Sequence, residues 1–107
     1  MKQYIQITTT FRNRETAVKM ANDMLDARLV ADGQISEINS VFEWEGKKHD
    51  RKEFLLTMKT REPLYSKCQS FIKQNHEYKV PQIVATAITH GSTEYFNWID
   101  EGVDVDL

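Results

Sequence analysis

Few residues of this chain have the type and spacing that catalysis or metal binding requires. Its three histidines, His49, His76 and His90, lie far apart, and none pairs with another histidine or cysteine at a zinc-ligand spacing. The single cysteine, Cys68, falls on the apolar stripe of an expected helix, where burial raises the pKa of a thiol and makes it inert. We therefore expect no zinc motif, no cysteine nucleophile and no internal disulfide.

Anion binding has one candidate. Lys59 ends an apolar segment and directly precedes Thr60, the expected N-cap of the second helix. A cation beside the free N–H groups of a helix N-terminus could hold an anion. A surface ion pair with a carboxylate is the more ordinary use of such a lysine. The four glycines form no phosphate-binding loop, and no serine has a Gly-x-Ser-x-Gly context. The residues alone indicate neither an enzyme site nor a cofactor.

Length and charge exclude several classes of protein. The 107 residues fit a single domain, residues 1–107, and the balance of 14 Lys and Arg against 16 Asp and Glu gives a formal charge of −2. This balance argues against a nucleic-acid-binding or anionic-membrane surface. No apolar run approaches the roughly 20 residues that span a bilayer. With no signal peptide expected, we predict a cytoplasmic protein.

The elements that would position these residues follow from periodicity and punctuation. We expect a helix capped by Asn13 and extending to about Leu29, a long strand with a bulge or bend between residues 36 and 41, and a last helix capped by Ser92. Residues 100–107 are expected to be mobile. In chain order, the pattern predicts a strand at 3–10, a helix at about 14–29, a strand at 34–45, a polar turn at 45–51, a strand at 53–60, a helix from Thr60 and Pro63 to His76, a strand at 83–89 and a short helix from Ser92.

This order is the split βαβ pattern of a ferredoxin-like α+β fold. It implies a four-stranded antiparallel sheet with two helices on one face and a short C-terminal helix. The expected strands at 53–60 and 83–89 carry apolar residues on both faces, and helices can cover only one of them. We therefore expect the chain to form an oligomer.

Three stretches carry a resemblance to a known family. They are "FEWEGK" at 42–47, "HEYKVPQI" at 76–83 and "THGSTEYFNWI" at 89–99, supported by "MKT" at 58–60. Their spacing and the element order resemble the CutA divalent-cation tolerance proteins over nearly the whole chain. The resemblance implies a tight homotrimer, similar to the PII-type signalling proteins, in which the long second strand crosses between subunits.

The resemblance also indicates which residues to examine. Family members implicated in copper binding have been proposed to use a cysteine, a histidine and a glutamate, and the matching positions here are Thr9, Asn75 and Gln82. A hydroxyl and two amides are weak ligands for a soft or borderline cation, so we expect no metal site there. The candidate ligand-binding residues, expected at clefts between subunits, are Trp44, Lys59, His76 and Tyr78.

The function that follows is a non-enzymatic homotrimer of the CutA type. It would bind an unidentified small ligand or anion at inter-subunit clefts, without a cofactor, and its link to the response to copper and other metal ions comes by resemblance. Three alternatives remain: a direct divalent-metal-binding protein, an enzyme with an inter-subunit active site, and a purely structural scaffold.

Overall fold

The computed structural model of the protein describes residues 3–104. It contains, in chain order, β1 (Tyr4–Phe11), α1 (Arg14–Asp26), β2 (Asp32–Trp44), β3 (Lys47–Arg61), a 3-10 turn (Glu62–Leu64), α2 (Tyr65–Asn75), β4 (Val84–Ile88) and α3 (Thr93–Gly102). The four strands form one sheet in the order β2-β3-β1-β4, and every neighbouring pair is antiparallel. The predicted ferredoxin-like architecture is therefore confirmed.

Two of the three predicted helix caps are confirmed. The Asn13 side chain accepts a hydrogen bond from the Thr16 N–H at 2.9 Å, and Ser92 Oγ accepts one from the Tyr95 N–H at 3.2 Å. The prediction for Thr60 is wrong, because β3 continues to Arg61 and the Thr60 hydroxyl donates to the Leu29 carbonyl at 2.6 Å. Thr60 therefore connects the sheet to the loop after α1.

The hairpin of β2 and β3 is longer and more regular than expected. Its pairing runs without interruption from Asp32 opposite Lys59 to Trp44 opposite Lys47, so the predicted bulge at 36–41 is absent. The polar turn shrinks to Glu45 and Gly46, which have φ angles of 51° and 76°. The irregular apolar pattern of β2 has a different cause: an edge strand that is buried on neither face need not alternate.

The far half of this hairpin extends beyond the rest of the sheet. Because β1 pairs with β3 only over Phe54–Arg61, residues 47–53 pair with β2 alone. We call this two-stranded part, residues 38–53, the ribbon. Its position next to the segment that follows α2 creates the candidate site described below.

The core lies between the sheet and the helices α1 and α2. Ile7, Leu56 and Met58 from the centre of the sheet are fully buried there with Met24 of α1 and Ile72 of α2. Cys68 belongs to the same core, where burial raises the pKa of its thiol to about 12. The thiol therefore stays protonated and unreactive near neutral pH, as predicted.

The helix α3 packs on the opposite face of the sheet, contrary to the expectation that this face is uncovered. The Phe96 ring stacks on Tyr4 with 4.1 Å between ring centroids, while Tyr95 and Trp98 stack on each other and remain exposed. The expected mobility is wrong for residues 100–104, since Val103 is buried and the Asp104 N–H donates to the Arg28 carbonyl at 3.0 Å. Residues 105–107 lie outside the described residues.

A close contact between α1 and the sheet depends on a glycine. A Cβ atom at Gly33 would lie 2.8 Å from Ala21 Cβ and 3.3 Å from Leu56 Cδ1. We expect Gly33→Ala to lower the free energy of unfolding by about 1–3 kcal/mol, because the added methyl group overpacks this contact. Chemical denaturation would measure the loss. Ser36→Ala, at an exposed position of β2, is the control and should change stability by no more than about 0.5 kcal/mol.

Candidate functional site

A surface pocket of about 540 Å³ lies between the tip of the ribbon and the segment that follows α2. The ribbon contributes Trp44 and Glu45, the residue after β1 contributes Arg12, and residues 77–80 form the remaining wall. The full lining is Arg12, Trp44, Glu45, Glu77, Tyr78, Lys79 and Val80. Its size lies within the range of small-molecule sites, and it combines aromatic walls with charged groups.

Tyr78 is the most firmly held wall of this pocket. Its hydroxyl donates to Glu53, a β3 carboxylate that is only 5% exposed. Arg51 lies beside both, with its guanidinium carbon 5.8 Å from the centroid of the Tyr78 ring and 5.1 Å from that of Phe42. Burial and the bond to Glu53 raise the pKa of Tyr78 to about 12, so the phenol remains protonated and continues to donate.

His76 holds the backbone of Tyr78 in place. Its Nε2 lies 2.9 Å from the Thr10 carbonyl oxygen, which can only accept, so Nε2 carries the proton. Its Nδ1 accepts the Tyr78 backbone N–H at 3.0 Å, and its ring stacks on Phe11 with 4.4 Å between centroids. The contacts fix one neutral tautomer. Burial lowers the pKa of His76, and the Thr10 bond and the nearby carboxylates oppose this shift only in part.

The neutral state of His76 makes folding pH-dependent. The pKa of His76 is lower in the folded chain than in the unfolded chain, where it is about 6.5. At pH values between the two pKa values, the unfolded chain binds more protons than the folded chain. The free energy of unfolding therefore falls as the pH drops through 6.5. We expect His76→Gln to reduce the difference between denaturation midpoints at pH 7.5 and 5.5. His90→Gln, at an exposed loop position, is the control. An unchanged difference in His76→Gln would contradict this role.

The structure brings together three of the four predicted ligand-binding residues. Trp44 and Tyr78 line the pocket, and His76 contacts Tyr78 directly. Lys59 lies away from this pocket. Phe54 of β3 marks the pocket end of the sheet, because it pairs with Phe11, whose ring stacks on His76. Lys59 is about 17 Å further along the same strand.

Lys59 belongs to a separate polar cluster at the start of β2. Its Nζ lies 3.1 Å from Asp32 Oδ2 and donates to Gln34 Oε1 at 2.8 Å, and the Tyr95 ring centroid is 6.0 Å away. Partial burial alone would lower the pKa of Lys59, but the bond to Asp32 and its charge outweigh this effect and raise it. This is the carboxylate-paired lysine that was weighed against an anion site.

The residues that hold the pocket in shape were not found from the sequence. Arg12, Arg51 and Glu53 are separated from Tyr78 by long stretches of chain and match no motif. One signal was available for two of them. A hairpin centred on Gly46 places the alternate residues Arg51 and Glu53 on the same face as Phe42. A partner for the Tyr78 hydroxyl could have been sought there.

The three positions matched to the family's proposed metal ligands do not converge. Thr9 is fully buried on the helix-facing side of β1, and its hydroxyl has no hydrogen-bond partner among residues 3–104. The Asn75 amide donates to the Phe71 carbonyl, and the Gln82 amide donates to Thr8 on the other face of β1. Within residues 3–104, no three His, Cys, Asp or Glu side chains cluster as metal ligands. These residues do not fit a soft or borderline cation.

The fold and the pocket together define an α+β protein of the ferredoxin-like class with a small-molecule-sized pocket at the end of its hairpin. The chain belongs to the family of the CutA1 divalent ion tolerance protein, whose model matches residues 5–102. The resemblance read from three short stretches is thereby confirmed. Among the helices of residues 3–104, none has the length and apolar character to cross a membrane.

Individual relatives agree with this assignment. The chain is 41% identical over 96 residues to a chloroplastic CutA protein of Arabidopsis thaliana, covering 89% of this chain and 53% of that protein. It is 36% identical over 104 residues to the divalent-cation tolerance protein CutA of Archaeoglobus fulgidus, covering 97% and 100%. It thus spans about half the length of its plant relatives. The crystal structure of CutA1 from Oryza sativa matches with a TM-score of 0.93 at 33% identity, covering 97% and 96%.

Proposed function

We propose that the chain acts as a non-enzymatic homotrimer that binds a small ligand at clefts between subunits and thereby takes part in divalent-cation tolerance. The observation that carries this proposal is the pocket whose Tyr78 wall is fixed by Glu53, Arg51 and His76. Such a network holds a binding surface in one geometry before any ligand arrives, which lowers the entropy cost of binding.

The surface outside the pocket supports assembly. Both edge strands, β2 and β4, carry unpaired backbone groups within the described chain, and Val84 of β4 is 48% exposed. Beyond α3, the second face of the sheet retains Leu55 and Ile38 as half-buried apolar groups. Another copy of the chain would cover them. We propose that in such a trimer the Lys59 cluster of one subunit lies at the pocket of the next, which would unite the four predicted residues.

This proposal is tested by two measurements on the native protein. Light scattering should give the mass of a trimer. A thermal-shift screen of small metabolites should find compounds that stabilise the wild type but neither Trp44→Ala nor Lys59→Ala. Lys67→Ala, an exposed lysine of α2, is the matched control and should respond like the wild type. A monomeric mass, or compounds that stabilise all variants equally, would overturn the proposal.

The metal connection is carried by the family and by the names of relatives. A direct metal-binding role would appear as Cu²⁺ or Zn²⁺ uptake in calorimetry near neutral pH, and the residues at Thr9, Asn75 and Gln82 argue against it. The cytoplasmic location stays a prediction. Relatives from Arabidopsis and rice are named as chloroplastic, and the Archaeoglobus protein as periplasmic.

A further inference from the structure

The pocket lining carries equal numbers of positive and negative side chains. Its lining contains two cationic side chains, Arg12 and Lys79, and two carboxylates, Glu45 and Glu77. We propose that the pocket accepts an aromatic zwitterion, a small molecule that carries an ammonium group, a carboxylate and a planar ring, as an aromatic amino acid does. This inference rests on the proposed function, because it specifies the ligand class of the same pocket.

The carboxylate of such a ligand has an available partner in Arg12. The guanidinium carbon of Arg12 lies 5.9 Å from the Tyr78 ring centroid, and no guanidinium hydrogen bond or ion pair of Arg12 occurs within residues 3–104. This position near the ring leaves the guanidinium N–H donors available for bidentate binding of a carboxylate. Lys79 is likewise without an ion pair in the described part of the chain, and it supplies a second positive charge.

The ammonium group has two candidate partners, the carboxylates of the pocket lining. Glu77 Oε1 accepts the Arg12 backbone N–H at 3.2 Å, which holds this carboxylate at the pocket rim next to Arg12. Glu45 reaches the pocket from the turn of the ribbon. A ligand with only a negative charge would face these two carboxylates, and a ligand with only a positive charge would face two cations. A ligand with both charges avoids the like-charge contacts of either.

The apolar walls of the pocket would contact the ring of the ligand. Trp44, which is 49% exposed, offers the main aromatic surface, and the half-buried Tyr78 and the side chain of Val80 complete the apolar wall. Stacking against such rings adds to the area buried. With a pocket volume of about 540 Å³, a single-ring molecule fits with room for its charged groups.

Three probes with the same phenyl ring test this inference. L-phenylalanine carries both charges, 3-phenylpropionate only the carboxylate, and 2-phenylethylamine only the ammonium group. Binding to the native protein would be followed by Trp44 fluorescence in a Trp98→Phe background, since Trp44 and Trp98 are the two tryptophans. We expect phenylalanine to bind at least about tenfold more tightly than either of the other two probes, because each of them lacks one charged hydrogen-bonded contact.

Two variants assign the charges. Arg12→Gln should remove the advantage of phenylalanine over phenylethylamine, and Glu45→Gln should reduce its advantage over phenylpropionate. Arg14→Gln, which changes an exposed arginine at the start of α1, is the matched control and should preserve both. Equal binding of the three probes would overturn the zwitterion and leave the pocket as a site. No binding by any probe would overturn the zwitterion as well, while the trimer mass and the thermal-shift screen judge the proposed function independently.

Discussion

Replacing Asp100 with alanine is expected to lower the free energy of unfolding by about 3–5 kcal/mol, the cost of leaving a buried partner charge unpaired. Asp100 Oδ1 lies 3.1 Å from Arg61 Nη1, and the Tyr4 hydroxyl donates to Asp100 Oδ2 at 2.9 Å. The Arg61 side chain is only 6% exposed, and its Nε has no hydrogen-bond partner in the described part of the chain. Without the carboxylate, the guanidinium would lose its compensation where water has little access. This ion pair fastens α3 to the sheet.

Guanidinium denaturation at one fixed protein concentration would measure this loss, since an oligomer's stability depends on concentration. The double variant Arg61→Met/Asp100→Leu removes both charges and should recover most of the stability. Asp104→Ala is the matched control, because Asp104 is exposed and lies 3.9 Å from Arg28, and it should cost at most about 1 kcal/mol. Equal losses in Asp100→Ala and Asp104→Ala would show that burial does not strengthen the Arg61 pair.

The second large effect is expected at Phe11, which joins the core to the pocket. Phe11 is 1% exposed, and its ring stacks on His76. We expect Phe11→Ala to lower the free energy of unfolding by about 3–5 kcal/mol through lost burial and a cavity. It should also raise the pKa of His76 toward its ordinary value, since burial is the main cause that lowers it. The neutral tautomer that holds the Tyr78 backbone would then be lost at a higher pH.

Denaturation would measure the stability, and NMR titration of the His76 ring would measure its pKa. Met24→Ala is the control for general destabilisation, because Met24 is fully buried in α1, whereas the ring that stacks on His76 is that of Phe11. It should cost about 2–5 kcal/mol without moving the His76 titration. A Phe11→Ala variant whose His76 titrates as in the wild type would contradict the coupling between this core position and the pocket.

Local chemistry predicted much of the fold. Asn13 and Ser92 could be identified as caps because a cap acts within three residues along the chain. Thr60 was misplaced for the opposite reason. Its partner is the Leu29 carbonyl, and a strand that continues past a threonine looks locally the same as one that ends there. The contact of Phe96 with Tyr4 joins the last helix to the first strand, and no periodicity reveals such a pairing.

The candidate site was predictable only in part. Motif positions pointed to Trp44, His76 and Tyr78, and these residues meet or adjoin at the pocket. The cation was assigned to Lys59, whereas within the described chain the pocket has Arg12 and Lys79. Which charge lies beside which ring depends on how the ribbon and the segment after α2 pack. Sequence spacing does not contain that information, because the two segments belong to different elements.

The strand order also has a consequence for how the chain is made on the ribosome. β1 is an inner strand, and its neighbours β3 and β4 are encoded far downstream. At about 5–20 residues per second, a translating ribosome would need roughly 3–10 s after Ile7 to reach its partner Met58. β4 follows later still, so the strand with the most buried apolar groups waits longest for both neighbours. The nascent chain therefore exposes β1 without either neighbour for several seconds, at the stage when co-translational chaperones act.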